Sequence, residues 1–317
     1  MELREGNMLS NAWQSLAVAD DLFEMRELLH LSSQEEFSPF FKLEPGTVSS
    51  DSSAIVGRAG FLFVNDGSNK WKDQLSGELT LSPETNDAIS RKLEEYNERL
   101  SKLDVQFRFV IVPEKDIVYP DLSPNVVSSP AAKRPAEQIL GRHPSYTLYS
   151  KDALIAATTA CNTYHARNSH FNFFGGMVVA KQILASLGNE LPSDERIPSS
   201  LVFWPDDLGI KWVPNLTTRR RILRRFYAEE EVVKVEFHVG RYLILRNEGA
   251  VRKHPIVIFG DSYSWNPDAG IARYLALAFS EVHFVWKKQI DWELIERVKP
   301  VALILQSAER FLIKGLG

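Results

Sequence analysis

The chain has 317 residues, of which 44% are hydrophobic and 25% charged, and its net charge is −4 at pH 7. It is long enough to bury a full core, as two domains or one large α/β domain. Such a balance gives no broad positive field, which argues against nucleic acid and anionic membrane as partners and leaves small molecules and glycans. The single cysteine, Cys161, excludes an internal disulfide and offers no metal-ligand spacing, so it reads as a small buried hydrophobe.

Residues 1–45 read as an N-terminal helical segment. Within "NAWQSLAVADDLFEMRELLH" (11–30), Trp13, Leu16, Ala17, Phe23 and Leu28 fall near a helical period. The first residues lack a basic stretch followed by an apolar one, and no apolar run is long enough to span a bilayer. As written, the chain is expected in the cytoplasm, or in the periplasm if a leader has been removed. The polar stretch "EPGTVSSDSS" reads as a linker into a domain covering 46–317.

In that domain "GRAGFLFVNDG" is a short strand between turn residues. "LSPETNDAISRKLEEYNERLSKL" is a helix with Ser82 as N-cap, Pro83 at its first position, and Ile89, Leu93, Tyr96, Leu100 and Leu103 along one face. It feeds "VQFRFVIVPEKD", whose nearly continuous apolar run fits a parallel strand covered on both faces. Residues 200–250 read as a β insertion: in "EVVKVEFHVG" Val233, Val235, Phe237 and Val239 alternate with polar residues, and a turn at Gly240 leads to "RYLILR", a half-buried antiparallel hairpin. The βαβ rhythm then returns. "PIVIFG" is a strand, "NPDAGIARYLALAF" a helix capped by Asn266 with Pro267 first, "EVHFVW" a strand, "DWELIERV" a helix and "VALILQ" a strand.

Open α/β sheets bind ligands beyond the carboxyl ends of their strands. In "VIFGDSYSWN" Ser262 stands at such an end, where a sharp turn lifts its hydroxyl clear of the backbone and the following helix start offers N–H groups to an oxyanion. It is either a nucleophile or an ordinary turn residue, and Asp261 shapes the turn with Gly260. A nucleophilic serine needs a base. His170, in "RNSHFNFFGG", precedes a helix starting near Phe173 and follows Asn168 by two residues, so that on extended chain both side chains would share a side. It is either that base or a satisfied core histidine. Glu114, Lys115, Gln306 and Glu309 also follow strand ends, where they serve either the same mouth or local packing. The run Arg219 to Arg225 is either an anion site or an edge neutralised by the following "AEEE".

The blocks "GRAGFLFV", "VIVPEKDIVYP", "NSHFNFFGG", "GDSYS" and "ERFL", in that order over roughly residues 55–317, resemble the alginate O-acetyltransferase-like branch of the SGNH-hydrolase superfamily. In that branch the Asp-x-His block precedes Gly-Asp-Ser. The resemblance implies a flavodoxin-like three-layer α/β/α fold with a mainly parallel sheet and an inserted antiparallel hairpin. It also implies acetylation of bacterial polysaccharide through a serine acyl-enzyme, or the related esterase reaction. By position Ser262 matches the nucleophile and His170 the base. Lys115 and Tyr119 lie in the block that resembles the family's "VPxK" segment and, with Gln306, are candidate substrate-binding residues. The chemistry so implied calls for an acyl (acetyl) donor as co-substrate, with no metal and no tightly bound cofactor. A carbohydrate is the expected partner, together with proteins of polysaccharide biosynthesis.

Two positions depart from the pattern. The family's aspartate falls on Asn168, and Phe171 stands where an aromatic Trp is usual. Asn168 can accept the histidine proton but brings no charge, so Asn168→Asp is expected to raise Ser262-dependent ester hydrolysis about tenfold or more. The competing expectation is a silent carbohydrate-binding or assembly protein of the same fold.

Overall fold

The computed structural model describes residues 43–66, 68–125, 133–143, 145–191, 197–236 and 238–316. The helix expected over 11–30 lies outside them. In chain order the strands are β1 (Ala54–Val56), β2 (Leu62–Val64), β3 (Gln106–Val112), β4 (Thr147–Tyr149), β5 (Ser199–Pro205), β6 (Thr217–Leu223), β7 (Ala228–Val233), β8 (Tyr242–Arg246), β9 (Arg252–Phe259), β10 (Phe279–Val285) and β11 (Ala302–Ala308). Among the described residues, seven of them form one sheet in the order β4-β3-β11-β9-β10-β8-β7. Neighbours from β4 through β10 run parallel, while β8 and β7 are antiparallel.

Parallel strands need both faces covered, and the apolar runs supply both. Along β9, Ile256 and Ile258 pack with Phe174, Met177 and Ile183 of α2 (Phe173–Ser186). The alternate residues Val257 and Phe259 pack with Leu93 and Tyr96 of α1 (Pro83–Ser101) and with Leu294. Helix α1 forms as its caps dictate, the Ser82 hydroxyl accepting from Thr85 N with Pro83 at the first position. Each fully buried Ile or Phe here contributes about 1.5–3 kcal/mol relative to an exposed one.

The structure differs from the sequence reading in several places. The stretch 44–53 is a folded turn rather than a linker: Gly46 N donates to Val56 O, and Asp51 accepts from the hydroxyls of Ser49 and Ser53 and from Lys211 Nζ. The short strand beyond Gly57 pairs with β1 as a separate hairpin, with Phe63 opposite Ile55. The hairpin that reaches "RYLILR" is antiparallel as read, but its outer strand β7 covers Ala228–Val233 and ends where the alternating pattern begins, Val233 and Val239 are exposed rather than half-buried, and the pair extends the main sheet. Strands β5 and β6 form a second detached antiparallel pair.

The helix expected from Pro267 is instead a one-turn helix, α3 (Ser262–Trp265), then a bend, then α4 (Ile271–Leu275). The bend is held because Asp268 turns inward to Arg220 Nη1 at 2.8 Å, and Gly270 N donates to Asn266 O at 2.7 Å. Arg220 is accordingly buried, not part of a solvated basic edge. No helix among the described residues is long and apolar enough to cross a membrane.

Candidate active site

The carboxyl ends of β9, β10 and β11 open on a cavity of about 750 Å³, within the ~300–1,000 Å³ usual for small-ligand sites. Its wall includes Ser262, Trp286, Lys288, Gln306 and Phe311. Trp286 stacks on His238 with ring centroids 4.8 Å apart, giving the wall a broad aromatic face.

Ser262 sits where it does because the turn before it is fastened on every side. Asp261 caps α3 by accepting from Tyr263 N, and its carboxylate also takes Gln306 Nε2 at 2.9 Å and Ala308 N at 2.7 Å. Gly260 has no room for a side chain, since a Cβ would meet Gln306 Oε1 at 2.6 Å. The backbone N–H groups of this turn are largely spent on holding it: Gly260 N donates to Val285 O and Asp261 N to Gln306 Oε1. With only four residues, α3 adds little dipole to the site.

The Ser262 hydroxyl lies 2.8 Å from His170 Nε2, and His170 Nδ1 lies 2.9 Å from Asn168 Oδ1. Asn168 and His170 are not on extended chain but in a tight bend, closed by His170 N donating to the same Asn168 Oδ1 at 3.0 Å. Because a backbone N–H can only donate, that bond selects the amide orientation with oxygen inward. Nδ1 must then carry the proton, and Nε2 is left as the acceptor facing Ser262. Burial holds the His170 imidazolium below its ordinary range, opposed chiefly by the charge of Asp207. The base is therefore neutral at neutral pH.

Two residues at this site went unnoticed in the sequence. Tyr263 is fully buried beside the His170 ring, centroids 5.0 Å apart, and its hydroxyl donates to Ser169 O at 2.9 Å, tying the serine turn to the histidine bend. Asp207 arrives from the loop after β5. Its carboxylate accepts from Ser169 N at 2.7 Å and from the Ser169 hydroxyl, and one of its oxygens lies 3.5 Å from His170 Nδ1. Nothing in "WPDDLG" sets it apart from a polar turn.

The remaining candidates are placed elsewhere or hold structure. Lys115 is buried, its Nζ donating to Leu62 O and Ala166 O, and burial pushes its ammonium down to about 7. Tyr119 is buried with its hydroxyl against Thr163. Gln306 does line the cavity, while its amide braces Asp261 and Ser264. Glu114 grips Arg310 through both oxygens, and Glu309 is held by Arg134 and Tyr149. Cys161 is buried.

No sequence-family description and no curated protein sequence matches the chain. Solved structures do. Bacillus cereus PatB1 aligns with a TM-score of 0.54 at 10% identity, over 80% of this chain and 94% of that one. The O-acetyltransferase domain of Pseudomonas putida AlgJ aligns with a TM-score of 0.51 at 14% identity, over 82% and 92%. A DHHW family protein from Eubacterium siraeum aligns with a TM-score of 0.57 at 12% identity, over 85% and 96%. At these identities the likeness is one of fold: the chain is a mixed α/β protein similar to these structures.

Proposed function

We propose that the chain is a serine-dependent O-acyltransferase, or the corresponding esterase, acting on a bacterial carbohydrate and built on a flavodoxin-like three-layer SGNH arrangement. The observation that carries this reading is the relay from Asn168 Oδ1 through the His170 ring to Ser262 Oγ at the cavity wall. The likeness of fold to an O-acetyltransferase domain supports acetyl as the acyl group. Aromatic faces with a few polar groups suit a sugar.

Ser262 Oγ adds to the acyl carbonyl carbon as His170 Nε2 takes its proton. With the Gly260, Asp261 and Tyr263 amides already donated, the oxyanion falls to the Ser262 N–H. Collapse expels the donor's leaving group, which receives the proton from His170. A sugar hydroxyl then gives its proton to His170 as it attacks the acyl-serine, and collapse breaks the bond to Ser262 Oγ, which takes the proton back from His170 to regenerate the enzyme. Water in place of the sugar makes the reaction hydrolysis.

Treatment with a fluorophosphonate, read by intact mass, is expected to add one label at Ser262 in wild type and none in Ser262→Ala. Hydrolysis of a small activated acetyl ester should vanish in the same variant. A folded protein with no Ser262-dependent label or turnover would instead be the silent carbohydrate-binding or assembly protein.

A further inference from the structure

We infer that Asp207, which lies outside the histidine motif, is a positioning residue that supplies the negative charge Asn168 lacks, so that the third role of the relay is divided between two side chains. The inference rests on the reading of Ser262 and His170 above.

In a serine triad one carboxylate does two separable things: it fixes the tautomer of the histidine, and it stabilises the imidazolium that forms as the serine loses its proton. Asn168 does the first and carries no charge for the second. Asp207 has the opposite profile. Its nearer oxygen is 3.5 Å from His170 Nδ1, too long for a good hydrogen bond but close for an ion pair once the ring is protonated. The Ser169 hydroxyl bridges the gap, donating to Asp207 while lying 3.3 Å from Nδ1.

Asp207 is also built into place. It follows Asp206, which is buried and clamped by Arg220 Nη2 at 2.5 Å, and Arg220 is anchored in turn on Asp268. Two residues on, Gly209 N donates to Arg167 O at 3.0 Å, lacing the loop to the chain just before Asn168. A Cβ at Gly209 would meet Leu216 Cδ2 at 2.5 Å, so the loop packs closely at this point. The loop joining β5 to β6 therefore delivers a carboxylate to the back of His170.

The charges that act most strongly on His170 are those of Asp207, Arg310, Asp268 and Asp261, in that order. Asp268 is engaged by Arg220 and His165, Asp261 is consumed by the serine turn, and Arg310 opposes protonation while paired with Glu114. Asp207 is the acidic group whose charge is directed at Nδ1.

The test is an NMR titration of the His170 ring, assigned by its absence in His170→Gln, alongside the pH profile of acetyl-ester hydrolysis. Asp207→Asn is expected to lower the His170 pKa by about one unit or more and to move the acid limb of the profile the same way. It should cut kcat about tenfold or more with little change in KM. Returning the carboxylate to the motif in Asn168→Asp/Asp207→Asn should restore both, whereas a purely structural role for Asp207 would not be rescued from position 168. Asp207→Ser, a smaller neutral replacement, stands in if the Asn variant does not fold.

An unchanged His170 pKa in a folded neutral variant, or no rescue by the double variant, overturns the inference. If wild type shows no Ser262-dependent turnover while the titration shifts as expected, the catalytic reading fails and the coupling of Asp207 to His170 stands.

Discussion

A side-chain amide presents an oxygen and an NH2 of nearly equal size, and beside a histidine the two have opposite consequences. The oxygen accepts the Nδ1 proton and frees Nε2 to act as a base; the NH2 would force the proton onto Nε2 and disable it. At Asn168 the choice is made by a third group, the His170 backbone N–H, which shares the oxygen. Asn168→Leu, of similar size, removes this control and is expected to lower Ser262-dependent hydrolysis by about two orders of magnitude or more. A rate within threefold of wild type would mean that something else sets the tautomer. With Asp207 already providing charge, Asn168→Asp by itself should change the rate only a little, less than the tenfold gain the sequence suggested; the gain should emerge in the Asp207→Asn background, a non-additive pair. The pH dependence follows from the same ring. Burial lowers the His170 pKa, so its protonation, and with it loss of the base, occurs at lower pH than for an ordinary histidine at about 6.5. The acid limb of kcat/KM should accordingly fall below that value, and a midpoint above it would contradict the burial argument.

The loop that carries Asp207 depends on an arginine in the neighbouring strand. Arg220 of β6 is buried against two carboxylates, Asp206 and Asp268, and joins the hairpin to the bend between α3 and α4. Arg220→Met keeps the bulk but removes the main partner of two buried carboxylates, leaving Asp206 facing Arg167 at 3.7 Å and Asp268 facing His165 at 3.4 Å, and is expected to cost about 3 kcal/mol in chemical denaturation. A loss below 1 kcal/mol would show that the clamp is not a structural anchor. This region also marks where sequence reading stopped. Strands β3, β9, β10 and β11 were legible because each is an apolar run bounded by turn residues, and α1 announced itself through Ser82 and Pro83. Ser262 and His170 could be singled out because their chemistry resides in short local blocks. The clamp has no such signature. The partners of Arg220 lie 14 and 48 residues away, so a reading confined to adjacent charges matched it with "AEEE" instead. The same pull on Asp268 turned an apparent Asn-Pro helix start into a bend. Asp207 stands 38 residues from Ser169, and only the folded hairpin brings the two together.

At the scale of the whole molecule, the main sheet is not filled in the order of the chain. Strand β11 follows every other strand in sequence, yet it lies between β3 and β9, with all seven of its residues buried. It also carries Gln306 and Ala308, which fasten the turn that presents Ser262. During synthesis, segments emerge N-terminal end first. A nascent chain that has produced β3 and β9 has two apolar strand edges with a vacant slot between them and no means of fixing Asp261. Chains stopped after Val298 are thus expected to stay protease-sensitive and take up a hydrophobic dye, while the chain carried through Gly315 becomes resistant. Resistance of the shorter chain would mean that β3 and β9 can close on each other. The nucleophile's turn is thereby coupled to completion of the sheet: a ribosome-bound intermediate can contain both Ser262 and His170 and still lack a site, so reactivity is deferred until β11 has emerged and seated itself.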